Sequence, residues 1–339
     1  MIKNLHIENY RLFKNLEIPS FAQVNLIGGK NNVGKTALLE TIRLLKSKGN
    51  ESVLYDIAQS RGDWNGDSEM KLQSFTNKDN KHNQFIIGNL LFIWKIENAP
   101  HFAAVYDNEE YFNLNPKNDK SSSHLNKSFN KIRFEQFIRD KYLERLNLNT
   151  NYSYIKENLV YIPFTSENKK NNDFWSKISL TPKEDDVVKI LQLIEPKIRK
   201  VRIDNDIAKV LLDQEDIPRP LKNLGDGVNR IFTLALALVN AKDSILLIDE
   251  FEVGLHHSIQ QRLWEIVFEY AKIWNIQVFV TTHSQDTVSA FTNISKREEY
   301  KTMSQYLRLQ KSRKNDDIEV VLYDTEILET AILNDIETR

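Results

Sequence analysis

The chain has 339 residues, and its 46 lysines and arginines against 47 aspartates and glutamates leave a net charge of −1, so no overall basic surface marks it as a nucleic-acid binder. It contains no cysteine, which excludes disulfides and thiolate metal sites. Apolar runs such as SILLIDEF are too short to span a bilayer, and MIKNLHIENYRLF has no signal-peptide core, so a soluble, cytoplasmic protein with no membrane partner is expected.

In chain order, Ile2, Leu5 and Ile7 alternate with Lys3, Asn4 and His6, which reads as a strand. A second apolar run, FAQVNLI, ends at Gly28 and Gly29. KTALLETIRLLK follows with Leu38, Leu39, Ile42 and Leu45 at helical spacing, giving strand, glycine loop, helix. Residues 47–83 are polar and irregular. The runs at 84–97 and 101–112 read as antiparallel strands, 115–130 as a polar loop, and 131–148 as an amphipathic helix. NLVYIPF reads as a strand, and Thr181 with Pro182 opens a helix. KDSILLIDEF reads as a buried strand ending in two carboxylates, the segment 259–275 as a helix, and IQVFVTTHSQD as another buried strand. Near-continuous apolar strands alternating with helices predict an α/β fold with a mostly parallel central sheet, an antiparallel β region and a helical insertion. Three segments are expected: 1–115 with the glycine loop and the antiparallel strands, 116–158 as polar loop and helical insertion, and 159–339 as the C-terminal lobe.

GGKNNVGKT fits G-x-x-x-x-G-K-[ST] from Gly29 to Thr36. By average residue usage such a match arises by chance in roughly one chain in a hundred of this length, and here it also sits between a strand and a helix. The backbone of Gly29, Lys30, Asn31, Asn32, Val33 and Gly34, continuing through Lys35, Thr36 and Ala37, would curl its N–H groups toward phosphate oxygens. Lys35 would supply charge to the outer phosphates, and Thr36 a hydroxyl to Mg²⁺. A phosphate loop also needs a metal-holding carboxylate at the end of a neighbouring strand. Asp249 fits that place, and Glu250, one step further, can orient or deprotonate an attacking water. His283 ends the next buried strand. A lone histidine there is often structural, but the adjacent strand would bring it toward the terminal phosphate or the water.

NLGDGVNRIFTLALALVNA spends two of the chain's 10 glycines, Gly225 and Gly227, around Asp226 at the head of an apolar helix. The pattern reads either as exposed backbone aimed at an anion or as a helix-start loop with Asp226 placed by the helix dipole. No zinc pattern is present, since His256 and His257 should diverge on a helix.

The order of these motifs resembles the heads of ABC-type P-loop NTPases, in the branch that holds chromosome-maintenance (SMC), RecF-like and OLD-family ATPases. G-x-N-x-x-G-K-T with Asn31 and the opening IENYRLFKNLEI are that branch's spelling. FWSKISLTPKEDDVVKILQLIEP, LGDGVNRIFTLALALVNAKDSILLIDEFEVGLHHSIQQRLW and LYDTEILETAILNDIETR are similar to bacterial single-head OLD-like AAA/ABC ATPases, relatives of which serve in abortive-infection and PARIS-type anti-phage systems. The resemblance implies a homodimer with ATP sandwiched between heads, in which Gly225, Asp226 and Gly227 cap the partner's γ-phosphate and Arg230 balances Asp226. It also implies an effector from another chain, a Toprim-type or other nuclease, because no nuclease motif follows the head. A RecF/SMC-like repair ATPase that binds DNA, or a nucleotide-locked scaffold with little turnover, is the alternative. Two departures stand out: Gly225 replaces the usual signature serine, and Val253 stands where asparagine is frequent. Arg11 either approaches the phosphates or forms a salt bridge, and Gln73 is a weak match for the Mg²⁺-sensing glutamine.

Overall fold

The structure is a computed structural model. It describes residues 1–47, a few positions between 53 and 61, 103–106, 110–113, 159–163, 167–253, 255–315 and 317–333. The expected strand at 84–97, the loop at 115–130, the helix at 131–148 and Gln73 lie outside the described residues.

Among the described residues the central sheet has six strands: β3 (Val24–Gly28), β6 (Leu159–Ile162), β10 (Ile245–Ile248), β11 (Gln277–Thr281), β12 (Ser304–Lys311) and β13 (Ile318–Tyr323), in the order β13-β12-β3-β11-β10-β6. Every pairing is parallel except that of β12 with β13. Strands from both ends of the chain are interleaved, for β3 lies between β11 and β12. The segments 1–115 and 159–339 therefore share one sheet.

The unbroken apolar runs follow from a sheet buried on both faces. Side chains alternate along each strand. Leu246, Ile248, Val278 and Val280 join one core, and Ile245, Leu247 and Phe279 the other. The second core is closed by α1 (Lys35–Lys46) and the antiparallel hairpin of β1 (Leu5–Tyr10) and β2 (Phe13–Ile18). The first is closed by α2 (Glu167–Ser176), α3 (Lys183–Gln192), α4 (Asp226–Asn240), α5 (His257–Ile273), α6 (Gln285–Ser295) and α7 (Thr325–Leu333). The buried amide of Gln277 is paired at both of its ends. Gln277 Oε1 accepts the Ile2 N–H at 2.7 Å while its Nε2 donates to the Ile2 carbonyl at 2.7 Å, which ties the first residues of the chain to β11.

Three expectations change. The run expected as one strand at 101–112 gives two that pair antiparallel, β4 (Ala103–Tyr106) with β5 (Glu110–Asn113). A further antiparallel sheet, β7 (Ile198–Asp204), β8 (Ile207–Leu212) and β9 (Arg219–Pro220), lies in the C-terminal segment, its first turn made by Asn205 and Asp206 at positive φ. The strand of Asp249 is not the immediate neighbour of the loop strand, since β11 separates β10 from β3.

Trp264 of α5 is fully buried, stacked on Phe251 at 4.4 Å and edge-on to Phe291 at 5.0 Å. Phe251 directly follows the two carboxylates, so this aromatic group props the strand end from below. Trp264→Ala is expected to lower stability by about 3–5 kcal/mol in urea denaturation, whereas Ile217→Ser, at a side chain 80% exposed, leaves the midpoint unchanged.

Candidate active site

The phosphate motif leaves β3 through Gly29 (φ 141°), turns at Asn32 (φ 65°) and enters α1 through Gly34 (φ 97°). Gly34 is required twice over, by its left-handed backbone and because a Cβ there would stand 2.7 Å from the Phe13 ring of the β1–β2 hairpin. Lys30, Asn31 and Asn32 are exposed on the loop, Val33 and Ala37 pack inward, and the first turn of α1 points its amides into the loop. Lys35 is 8% exposed, and its ammonium folds onto the loop, donating to the Gly29 carbonyl at 2.7 Å and the Lys30 carbonyl at 2.9 Å. Burial lowers its pKa, opposed by the negative field of Glu250, Glu252 and Asp249.

Asp249 is 4% exposed, at the C-terminal end of β10. Its Oδ1 accepts from Thr281 Oγ1 at 2.6 Å and from Thr36 Oγ1 at 3.3 Å. Burial raises its pKa, and the two hydroxyl bonds hold it down. Thr281, at the end of β11, ties the carboxylate to the backbone that follows it, for it donates to Asp249 and accepts the Glu250 N–H at 2.8 Å, while Thr36 joins the loop to Asp249 directly. Thr36 and Asp249 together offer only oxygen donors at the foot of the phosphate loop, the donor chemistry that Mg²⁺ takes, and so they fit that ion.

Glu250 turns the chain out of the strand at φ 52°. Burial, then the charge of Asp249, raises its pKa, with His283 opposing, which moves this carboxylate toward the range useful for a base. His283 stands at the end of β11 and is 45% exposed, its Nδ1 2.9 Å from Glu252 Oε1. The structure therefore gathers Lys35, Thr36, Asp249, Glu250 and His283 at one edge of the sheet.

The remaining candidates fall elsewhere. Gly225 is exposed at φ 106°, capping α4, and a Cβ there would meet nothing within 4 Å, so it is glycine for backbone reasons and not for lack of room. Asp226 and Gly227 open the first turn of α4. Arg230, expected to balance Asp226, lies on the inner side of its helix. It is 5% exposed and donates to the Glu250 carbonyl at 3.4 Å, because it sits a full turn into α4 on the face packed toward β10. Arg11 pairs with Glu40 at 2.8 Å, at a left-handed φ of 54°; the same buried carboxylate accepts from Arg61 at 2.7 Å and from the Tyr10 hydroxyl at 3.1 Å. His256 and His257 do not diverge. Their rings lie 4.1 Å apart, because His256 is outside α5 as its N-cap, held by Ser258. Among the described residues no three metal-binding side chains cluster, and no helix is long and apolar enough to cross a membrane.

Thr281, Thr282 and Glu252 were not identified from the sequence. Polar residues stacked just after two adjacent apolar strands were the available signal. Thr281→Val leaves the Glu250 N–H without its acceptor and Asp249 without its shorter bond, at about 1–3 kcal/mol for each unpaired buried group. It should lower ATP turnover roughly tenfold or more, and Thr281→Ser should recover most of it. Unchanged turnover in a phosphate-release assay would show that the bridge is dispensable.

Two family profiles match the chain: "AAA ATPase domain" over residues 1–173, and "AAA domain, putative AbiEii toxin, Type IV TA system" over residues 103–289. A Helicobacter pylori protein named an ATP/GTP phosphatase is 25% identical over 343 residues, covering 88% of this chain and 90% of its own length. Two solved structures share the fold. An SMC head bound to the C-winged helix domain of ScpA has a TM-score of 0.52 at 12% identity and covers 98% of this chain and 99% of its own. An SMC head with an extended coiled coil, bound to a ScpA domain derived from Pyrococcus furiosus, has a TM-score of 0.50 at 11% identity and covers 99% of each chain. With its phosphate loop and strand-end carboxylates on one α/β sheet edge, the chain belongs to the AAA ATPase domain family, is an ATPase, and shares the fold of SMC heads.

Proposed function

We propose that this ATPase is a dimeric switch that hydrolyses ATP between two heads and controls a separately encoded effector, a nuclease, in anti-phage defence. The observation that carries the catalytic part is the hydrogen-bonded chain Thr36–Asp249–Thr281–Glu250, which ties the phosphate loop to the base. In this reading the loop amides and Lys35 bind the ATP phosphates, Lys35 exchanging its two loop carbonyls for phosphate oxygens. Thr36 and Asp249 hold Mg²⁺, which when bound supplies positive charge to the outer phosphates. Glu250 accepts the proton of the attacking water, and His283 orients that water or the γ-phosphate.

The exposed Gly225 at a helix N-terminus supports a role for residues 225–227 toward a second copy, since a Cβ added there would meet nothing within 4 Å in its own chain. Arg230 then links that helix to the carbonyl of Glu250 and does not itself meet the phosphate. The AbiEii description of the family supports the defence setting, and the ScpA-bound SMC heads support a head that engages another chain.

Glu250→Gln should bind ATP, accumulate as an ATP-bound dimer, and hydrolyse on the order of 10²–10⁴-fold more slowly. Unchanged phosphate release would move the base elsewhere. Gly227→Trp should spare ATP binding yet abolish ATP-dependent dimerisation in sedimentation, and a variant that still dimerises would return 225–227 to a helix-start loop. For the effector, affinity capture of the Glu250→Gln protein with ATP from its native cells should enrich a nuclease. Hydrolysis by the purified chain alone that rises with added DNA would favour the repair reading instead.

A further inference from the structure

Glu252 lies two residues beyond Glu250. The left-handed turn at Glu250 and the bond from the Phe251 N–H to the Thr281 carbonyl at 3.1 Å bring it back against the end of β11. Three donors converge on its carboxylate. Oε2 accepts from Thr282 Oγ1 at 2.8 Å, and Oε1 accepts both the His283 backbone N–H at 2.8 Å and the His283 ring Nδ1 at 2.9 Å. The Glu252 side chain is 10% exposed and that of His283 45% exposed, so the imidazole is gripped from its buried side. Thr282 is anchored in turn by its N–H to the Ile27 carbonyl at 3.0 Å, immediately before the phosphate loop.

A carboxylate only accepts hydrogen bonds, so in the neutral ring Nδ1 carries the proton and Nε2 carries the lone pair. Among the described residues Nε2 has no hydrogen-bond partner. We propose that Glu252 is a positioning residue for ATP hydrolysis, holding the His283 ring in the tautomer whose Nε2 accepts a hydrogen bond from the attacking water. This rests on the role given to His283 above and sharpens it: the neutral ring directs water, because its free nitrogen cannot donate to a phosphate oxygen. A buried carboxylate that sets an imidazole's tautomer and orientation is a recurrent device in enzymes that activate a nucleophile.

The test compares Glu252→Ala, His283→Ala and the double variant for kcat and KM, with ATP binding measured on the same samples. Each single change should lower kcat by about tenfold or more while KM for ATP moves little. The double variant should be no slower than His283→Ala, as expected for two residues acting as a unit. Glu252→Gln, which keeps an acceptor for the ring N–H, should recover part of the loss. Losses that multiply in the double variant would overturn the proposal, since Glu252 would then act without His283. Wild-type turnover in Glu252→Ala beside an impaired His283→Ala also overturns it, yet leaves the role of His283 standing. Wild-type turnover in His283→Ala removes that role and the proposal with it. Nitrogen-15 NMR of the unaltered protein needs no variant to fold: a His283 ring with its proton on Nδ1 and none on Nε2 is expected, and a proton on Nε2 overturns the assignment.

Discussion

A carboxylate buried at the end of a parallel strand has lost its water, and it stays there only if other donors replace the lost hydrogen bonds. Asp249 meets that constraint with two threonine hydroxyls, Thr281 from the next strand and Thr36 from the phosphate loop. Because these donors come from different elements, they fix the spacing of the loop, β11 and β10 at the edge where the chemistry sits. The Glu250 amide closes on the same Thr281 oxygen, so the backbone that carries the base shares the anchor that holds the carboxylate.

The rest of the fold keeps that edge still. Two hydrophobic cores press on the sheet from opposite faces, which is why β3, β10 and β11 are apolar at every position except Asn25, Gln277 and the terminal Gly28 and Thr281. Those polar side chains are spent on local ties: Asn25 bonds the backbone of Ala22 and Val278, and Gln277 holds Ile2. Close approach also sets the phosphate strand, since a Cβ at Gly28 would overlap the Tyr306 hydroxyl of β12 and one at Gly29 would meet the Leu309 carbonyl. The loop is thus bounded by β12 on one side and by Phe13 on the other, leaving its open face to the exposed residues Lys30, Asn31 and Asn32.

Two contacts join elements across the site. Arg230 reaches from α4 to the Glu250 carbonyl, so the helix that begins at the exposed 225–227 corner touches the strand end. Glu252 joins the ends of β10 and β11 through Thr282 and His283. Both use charged side chains in nearly dry surroundings, where a hydrogen bond to an ionised group is strong and its loss costly.

The sequence by itself determined what is local. The G-x-x-x-x-G-K-T spacing sets the loop through backbone angles that glycine allows, the run KTALLETIRLLK sets α1 through its apolar period, and ILLIDE places two carboxylates where the apolar strand ends. Only the tertiary structure decided what depends on strand order. That β11 intervenes between β3 and β10 follows from the pairing of β3 with β11, between residues more than two hundred positions apart, which no local pattern encodes. The inward turn of Arg230, the ion pair of Arg11 with Glu40 and the grip of Glu252 on His283 also depend on tertiary packing. In each case the residue type was visible in the chain, and its partner was chosen by which face the fold buried.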